Sequence, residues 1–222
     1  MDQDALSLLV KGADFLNLSL SPKTLSILNL YLNELQRWAP VFNLVGQHDT
    51  TTVIQRHILD SLAISHLLPS RGSFVDLGSG AGFPGFILAA AEPAREYVLV
   101  EARRKRANFL KEVARSTGIK NIKVHEGRVE CLAKQNEMVA VFHAVTTRAT
   151  WSTPQFLAFS APFLKKDGIA LLMQGPRKGK SDRMADTHGD ALGFDWDITH
   201  DYSRPFGEGD RCAVLFRRQC FT

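Results

Sequence analysis

Residues 74–85, reading F-V-D-L-G-S-G-A-G-F-P-G, constrain the fold more than any other stretch of the chain. An apolar run closes on Asp76, glycines follow at alternate positions (Gly78, Gly80, Gly82), and Pro84 precedes residues 86–92, which have a helical character. That order is a strand, a tight turn and a helix start. Alternate glycines let the backbone take positive φ and come close to a ligand, while N–H groups opening a helix favour an electron-rich group.

Spacing then narrows the ligand. The dinucleotide fingerprint needs glycine at its first, third and sixth positions, and here the sixth is Phe83, whose side chain would crowd a pyrophosphate. The pattern present is D-x-G-x-G-x-G, which resembles the nucleotide-binding loop of class I S-adenosylmethionine (SAM) methyltransferases. Residues 97–100 read as a second strand ending on Glu101, about 20 residues after the loop, where a carboxylate binds ribose hydroxyls.

A chain of 222 residues, 45% hydrophobic, can bury one sizeable core and a small appendage. Residues 1–68 read as a helical extension and 69–222 as the α/β unit. Ser21 and Pro22 cap a helix whose Leu25, Leu28, Leu32, Leu35 and Trp38 recur at three- and four-residue steps, with Pro40 expected to stop it. Residues 51–68 form a further helix ended by Pro69. From Phe74 onward, strand-like and helix-like segments alternate, which predicts a mostly parallel sheet. Strands are expected at 122–125, 139–146 and 169–173, and helices at 103–117 and 151–164. Residues 165–168 should form a turn and 175–193 a mobile basic loop, with 194–198 and 212–216 closing the sheet as an antiparallel pair.

The loops after the strands are where a ligand binds. They supply Asp76 and the glycines, Glu101, then Val129 and Glu130, then Thr147, Arg148 and Ala149. Val129 can pack on an adenine ring. Glu130 is equally readable as a helix N-terminal acid, and Arg148 as the partner of a carboxylate. Arg56 and Asp60, four apart, fit an ordinary helical ion pair, and His57 fits a satisfied core histidine. Basic residues gather at Arg103, Arg104, Lys105 and Arg106 and again at Arg177, Lys178, Lys180 and Arg183. The net charge is +4, so a polynucleotide is compatible with the charge pattern. Three cysteines without a C-x-x-C pair and seven scattered histidines imply neither a disulfide framework nor a metal site. No apolar run is long enough for a membrane span or signal peptide, so a cytoplasmic protein is expected.

Several blocks together resemble the 16S ribosomal RNA guanine-N7 methyltransferases, the RsmG or GidB family. They are R-H-I-L-D-S at 56–61, D-L-G-S-G-A-G-F-P-G at 76–85, G-R-V-E at 127–130 and T-R-A at 147–149. W-x-x-x-x-N-L-V from Trp38 and K-R-x-x-F-L from Lys105 fit as well. The resemblance implies a class I SAM-dependent methyltransferase fold, a Rossmann-like doubly wound sheet with a C-terminal antiparallel strand. It implies SAM bound by the Asp76 loop with Gly78, Gly80, Gly82, Phe83, Glu101, Val129, Glu130 and Arg148, the last orienting the substrate. It also implies contacts to 16S rRNA or the small ribosomal subunit from Arg56, His57, Arg103, Arg104, Arg177 and Lys178, in a monomer acting on the 530-loop region. The family usually has lysine where this chain has Gln174. A SAM-dependent enzyme acting on a small molecule or another RNA is the alternative.

Overall fold

The computed structural model describes residues 1–148, 150–175, 192–207 and 209–219. Strands β1 (Gly72–Leu77), β2 (Arg95–Glu101), β3 (Ile122–Glu126), β4 (Phe142–Arg148), β5 (Leu164–Gln174), β6 (Phe194–Ser203) and β7 (Asp210–Arg218) form one sheet in the order β3-β2-β1-β4-β5-β7-β6. β1 to β5 pair in parallel, and β7 runs antiparallel to both β5 and β6. The expected closing pair is therefore present, with longer strands than the alternation suggested.

Alternation along the strands sets the layers. Phe74, Ala144, Leu171 and Met173 point into one apolar cluster, while Val75, Leu77, Val145 and Leu172 point into another. A parallel sheet apolar on both sides must be covered on both. The first face is covered by α1 (Gln3–Phe15), α2 (Pro22–Phe42), α3 (Thr50–Val53), α4 (Leu59–Ala63), α5 (Gly85–Ala91) and α6 (Arg104–Thr117). The second is covered by the short α7 (Val129–Leu132) and by α8 (Thr153–Ser160). No helix of the described residues is long and apolar enough to cross a membrane.

Local chemistry explains the helix ends, and three expectations need correction. Ser21 accepts the Thr24 N–H at 3.1 Å and Pro22 opens α2, as the sequence indicated. Pro40 does not stop that helix. It falls in the last turn, and α2 continues to Phe42 before Asn43 (φ 46°), tolerant of the left-handed region, ends it. Residues 51–68 are not one uniform helix: α3 leads into a π-helical turn at Ile54–Ile58, then α4, then a 3₁₀ turn at Ser65–Leu67. Residues 165–168 are a bulge inside β5 rather than a turn between elements, because Phe142 pairs with Leu164 while Ala144 pairs with Ile169.

Arg95 ties the helical residues to the sheet. Its side chain is buried and donates to the Pro69 carbonyl at 2.9 Å, the Ser65 hydroxyl at 2.8 Å and the Ser65 carbonyl at 2.9 Å. A buried guanidinium satisfied by neutral oxygens fixes where the chain enters β1.

Candidate active site

The carboxyl ends of β1, β2 and β4 open onto a cleft with two adjoining cavities. The glycine turn is its floor. Gly78 takes φ +67°, and a Cβ there would stand 3.1 Å from Trp151 and 3.2 Å from Thr150, so both conformation and space require glycine. Gly82 (φ +101°) faces away from the cleft, and a Cβ on it would strike Phe86 at 2.8 Å. Gly82 thus lets the loop pack on α5 rather than touching a ligand.

Asp76 is buried beneath the loop. It accepts the Thr146 hydroxyl at 2.8 Å and the Gly85 N–H at 3.3 Å, and lines neither cavity. Burial pushes its carboxyl up to about 6, against those hydrogen bonds. Its effect on a ligand runs through the shape of the turn. Glu101, by contrast, stands at the rim of the first cavity. One oxygen accepts the Gly80 N–H at 2.9 Å and the other the Arg103 N–H at 2.7 Å, each keeping lone-pair capacity for a hydroxyl.

The first cavity, about 390 Å³, is walled by Val100, Val129, Trp151 and Phe159, with Glu101, Glu130, Arg103 and Arg128 at its edges. Val129 and Glu130 thus reach the cavity assigned to them, Glu130 also occupying the first turn of α7. The second cavity, about 380 Å³, is lined by Leu44, Val45, Ser79, Gly80, Ala81, Phe83 and Arg148. Gly78, Arg106 and Thr150 line both. A bound molecule in one cavity can therefore meet its partner in the other.

Phe83 organises the wall of the second cavity. The His57 ring stacks on it with centroids 4.9 Å apart, and the Arg148 guanidinium carbon lies 4.8 Å from its centre. Tyr31 of α2 meets the Phe83 edge and donates its buried hydroxyl to the Ala81 carbonyl at 2.7 Å, holding the loop from below. Burial first, and then the cations Arg148, Arg211, Arg204 and Arg56, hold the His57 imidazole down to about 3. The ring is neutral, and its buried Nδ1 has no hydrogen-bond partner among the described residues, unlike the satisfied core histidine anticipated from sequence.

Asp60 does not pair with Arg56. The π-helical turn widens the helix, so residues four apart no longer stack, and Arg56 donates instead to Gln47 at 3.2 Å. Asp60 faces inward, 3.6 Å from Arg148 and 3.5 Å from Arg211, and accepts the Tyr202 hydroxyl at 3.0 Å. Both readings of Arg148 hold: it pairs with a carboxylate and lines the cleft. Desolvation lowers the pKa of its guanidinium while Asp60 raises it.

Arg56 and Arg104 are exposed, and Arg103 stands at the cavity rim. Arg177, Lys178 and Ala149 lie outside the described residues. Sequence reasoning placed Arg106 only within a basic cluster for nucleic-acid phosphates, and gave no site role to Thr150, Trp151, Phe159 or the Asp60–Arg211–Tyr202 cluster. The W-x-x-x-x-N-L-V pattern held a usable signal, since left-handed Asn43 turns Leu44 and Val45 toward the cleft. Among the described residues no group of three or more His, Cys, Asp or Glu is arranged to hold a metal ion.

With this geometry in place, comparison with known proteins decides the family. The model of the GidB family, rRNA small subunit methyltransferase G, matches residues 24–192. The chain belongs to that family. A ribosomal RNA small subunit methyltransferase G from Halorhodospira halophila is 33% identical over 202 residues, 91% of this chain and 92% of that protein. The one from Polynucleobacter asymbioticus is 38% identical over 175 residues, 77% of this chain and 78% of that protein. Among solved structures, M. jannaschii TYW2 in complex with AdoMet aligns with TM-score 0.56 at 15% identity, covering 73% of this chain and 75% of that one. A precorrin-6y C5,15-methyltransferase from Geobacter metallireducens aligns with TM-score 0.52 at 10% identity, covering 82% and 95%. At such identities these two establish the class I methyltransferase fold alone. The methyltransferase G family and the residues present agree on S-adenosylmethionine: an acid placed for ribose hydroxyls, apolar walls for a purine, and glycines where backbone must approach.

Proposed function

We propose that this enzyme methylates N7 of a guanine in 16S ribosomal RNA. The observation carrying the reading is chemical. Among the described residues lining the second cavity there is no carboxylate, imidazole, thiol or amine. Guanine N7 offers a lone pair without losing a proton, so its methylation needs no general base, whereas a hydroxyl or amine acceptor commonly does. His57 behind Phe83 is held too acidic to fill that role at neutral pH.

S-adenosylmethionine, when bound, supplies an electrophilic methyl on a cationic sulfur. The chain's own residues do the rest. Glu101, Val100 and Val129 would hold the nucleoside in the first cavity, and the Gly78–Gly80 turn, whose Gly78 lines both cavities, would let backbone approach it. Arg148, pinned between Asp60 and Phe83, orients the base or its phosphate, while Leu44, Val45 and Phe83 exclude water. The reaction moves one positive charge from sulfur to guanine, so the site needs alignment more than new charge stabilisation. N7 is inaccessible in the narrow major groove of paired RNA, so the target guanine is unpaired or swung out. Arg103 at the cavity rim, the exposed Arg56 and Arg104, and His57 are the described residues we assign to RNA contact; Arg177 and Lys178, assigned with them from the sequence, lie outside the described residues.

The test is mapping. Small subunits or 16S rRNA from cells lacking the enzyme are incubated with it and SAM, then treated with borohydride and aniline, which cut at N7-methylguanine. A new scission at one guanine in the 530-loop region is expected. Methyl transfer without a labile guanine, or transfer to small molecules alone, overturns the proposal. We also propose that residues 1–68 are an extension of a catalytic unit 69–222, and that the enzyme acts as a cytoplasmic monomer. Sedimentation in solution tests the oligomeric state.

A further inference from the structure

We infer that Trp151 is the aromatic wall against which the cofactor's purine stacks, and so a binding residue for the nucleoside. The inference rests on the SAM reading of the first cavity. Trp151 lines that cavity, half-buried, with its indole edge-to-face on Phe159 at a 5.4 Å centroid distance. Phe159 sits on α8 and is packed against the second core cluster, so the indole rests on a supported surface. Its six-membered ring closes to 3.1 Å from the place where a Cβ on Gly78 would be. Trp151 therefore leans over the first glycine of the turn, on the same cavity as Val129 and Glu101. A flat group whose ribose reaches Glu101 has two kinds of surface available: the aliphatic Val100 and Val129, and the half-buried indole. An aromatic face over a purine contributes the larger attraction, because dispersion and quadrupole complementarity add to apolar burial.

The neighbouring residue gives the position its leverage. Thr150 lines both cavities and donates its hydroxyl to the Arg148 carbonyl at 3.1 Å. A purine drawn onto Trp151 thereby settles against the segment that also carries Arg148.

The experiment uses S-adenosylhomocysteine as the probe, with two readouts besides activity. The chain has three tryptophans, so Trp38→Phe/Trp196→Phe leaves Trp151 as the only indole emitter. Titration should quench or shift its fluorescence, with a midpoint matching the dissociation constant from calorimetry on the unmodified chain. In Trp151→Ala that affinity should fall about tenfold or more, the order expected for losing one base–aromatic stack. Trp151→Phe should retain it within about threefold, and equal melting temperatures of the two variants separate binding from folding. Unchanged affinity in Trp151→Ala, alongside clear heat from the unmodified chain, overturns the inference alone. Weakened RNA binding with intact S-adenosylhomocysteine binding also overturns it, and assigns the indole to the target base instead. No heat from the unmodified chain overturns the cofactor reading, and the inference with it.

Discussion

Asp60→Ala is the perturbation with the largest expected effect on stability. The carboxylate is 1% exposed, and it faces two guanidinium groups and one hydroxyl from three other parts of the chain. Breaking a buried ion pair by deleting one partner costs about 3–5 kcal/mol. Arg148 and Arg211 keep 18% and 25% of their side-chain surface exposed, so water screens part of that loss and the lower end applies. Tyr202 also loses its acceptor, worth about 1 kcal/mol. The expected sum is about 3–4 kcal/mol, or roughly 6–16 °C in Tm for a chain of this size. Asp60→Asn keeps the volume and an acceptor for Tyr202 while removing the charge, and should cost about 2–3 kcal/mol; Tyr202→Phe should cost about 1 kcal/mol. Urea unfolding at pH 7 measures all three, and a double-mutant cycle of Asp60→Asn with Arg211→Gln should show coupling of about 1 kcal/mol or more. If Asp60→Ala unfolds within about 1 kcal/mol of the unaltered chain, or if Tyr202→Phe is equally damaging, the electrostatic argument is wrong.

Four further outcomes are expected. The Asp76 carboxyl, raised to about 6 from an ordinary 3.8, binds its proton more tightly folded than unfolded. Its stabilising contribution is complete below the lower value and lost as pH rises through the upper, so Asp76→Asn should cancel about 3 kcal/mol of that pH dependence in urea midpoints taken from pH 4 to 7. His57 has the opposite sense: depressed to about 3 from 6.5, it stabilises the fold above its unfolded value and loses that contribution as pH falls. His57→Phe should therefore flatten the acid limb between those values. Gly78→Ala should destabilise the chain by about 1–2 kcal/mol through its positive φ and weaken S-adenosylhomocysteine binding in calorimetry at least tenfold, because the alanine methyl also crowds Trp151 and Thr150. Arg148→Ala should leave that binding within a few fold while lowering methyl transfer at least a hundredfold; retention of full transfer would remove Arg148 from substrate orientation.

The legible parts of the fold are those written in short-range periodicity. Alternation through Phe74, Val75 and Leu77 announces a sheet covered on both faces, and the glycine spacing with Glu101 announces the cofactor rim, because each is set by the backbone's own repeat. What the sequence hides depends on contacts between distant segments. Trp151 reaches the cleft only through the path of the loop after β4, and Arg106 only through the way the first turn of α6 is set against the glycine turn. The π-helical turn at Ile54–Ile58 leaves no mark in composition, yet it breaks the simple spacing rule that would join Arg56 to Asp60. Pro40 misleads for a different reason: near the end of a helix its missing N–H removes few hydrogen bonds, so the helix runs past it.

The reach of the Asp60 cluster bears on how the molecule is made. Tyr202 and Asp60 stand 142 positions apart, so a chain still being synthesised holds Asp60 and Arg148 long before Arg211 and Tyr202 arrive. Until then one acid and one base face each other in an unfinished wall, open to water, and the arginine is free to swing. Orientation of the substrate by Arg148 should therefore wait until the last hairpin docks, and a ribosome-bound fragment ending before residue 194 should fail to hold RNA in register.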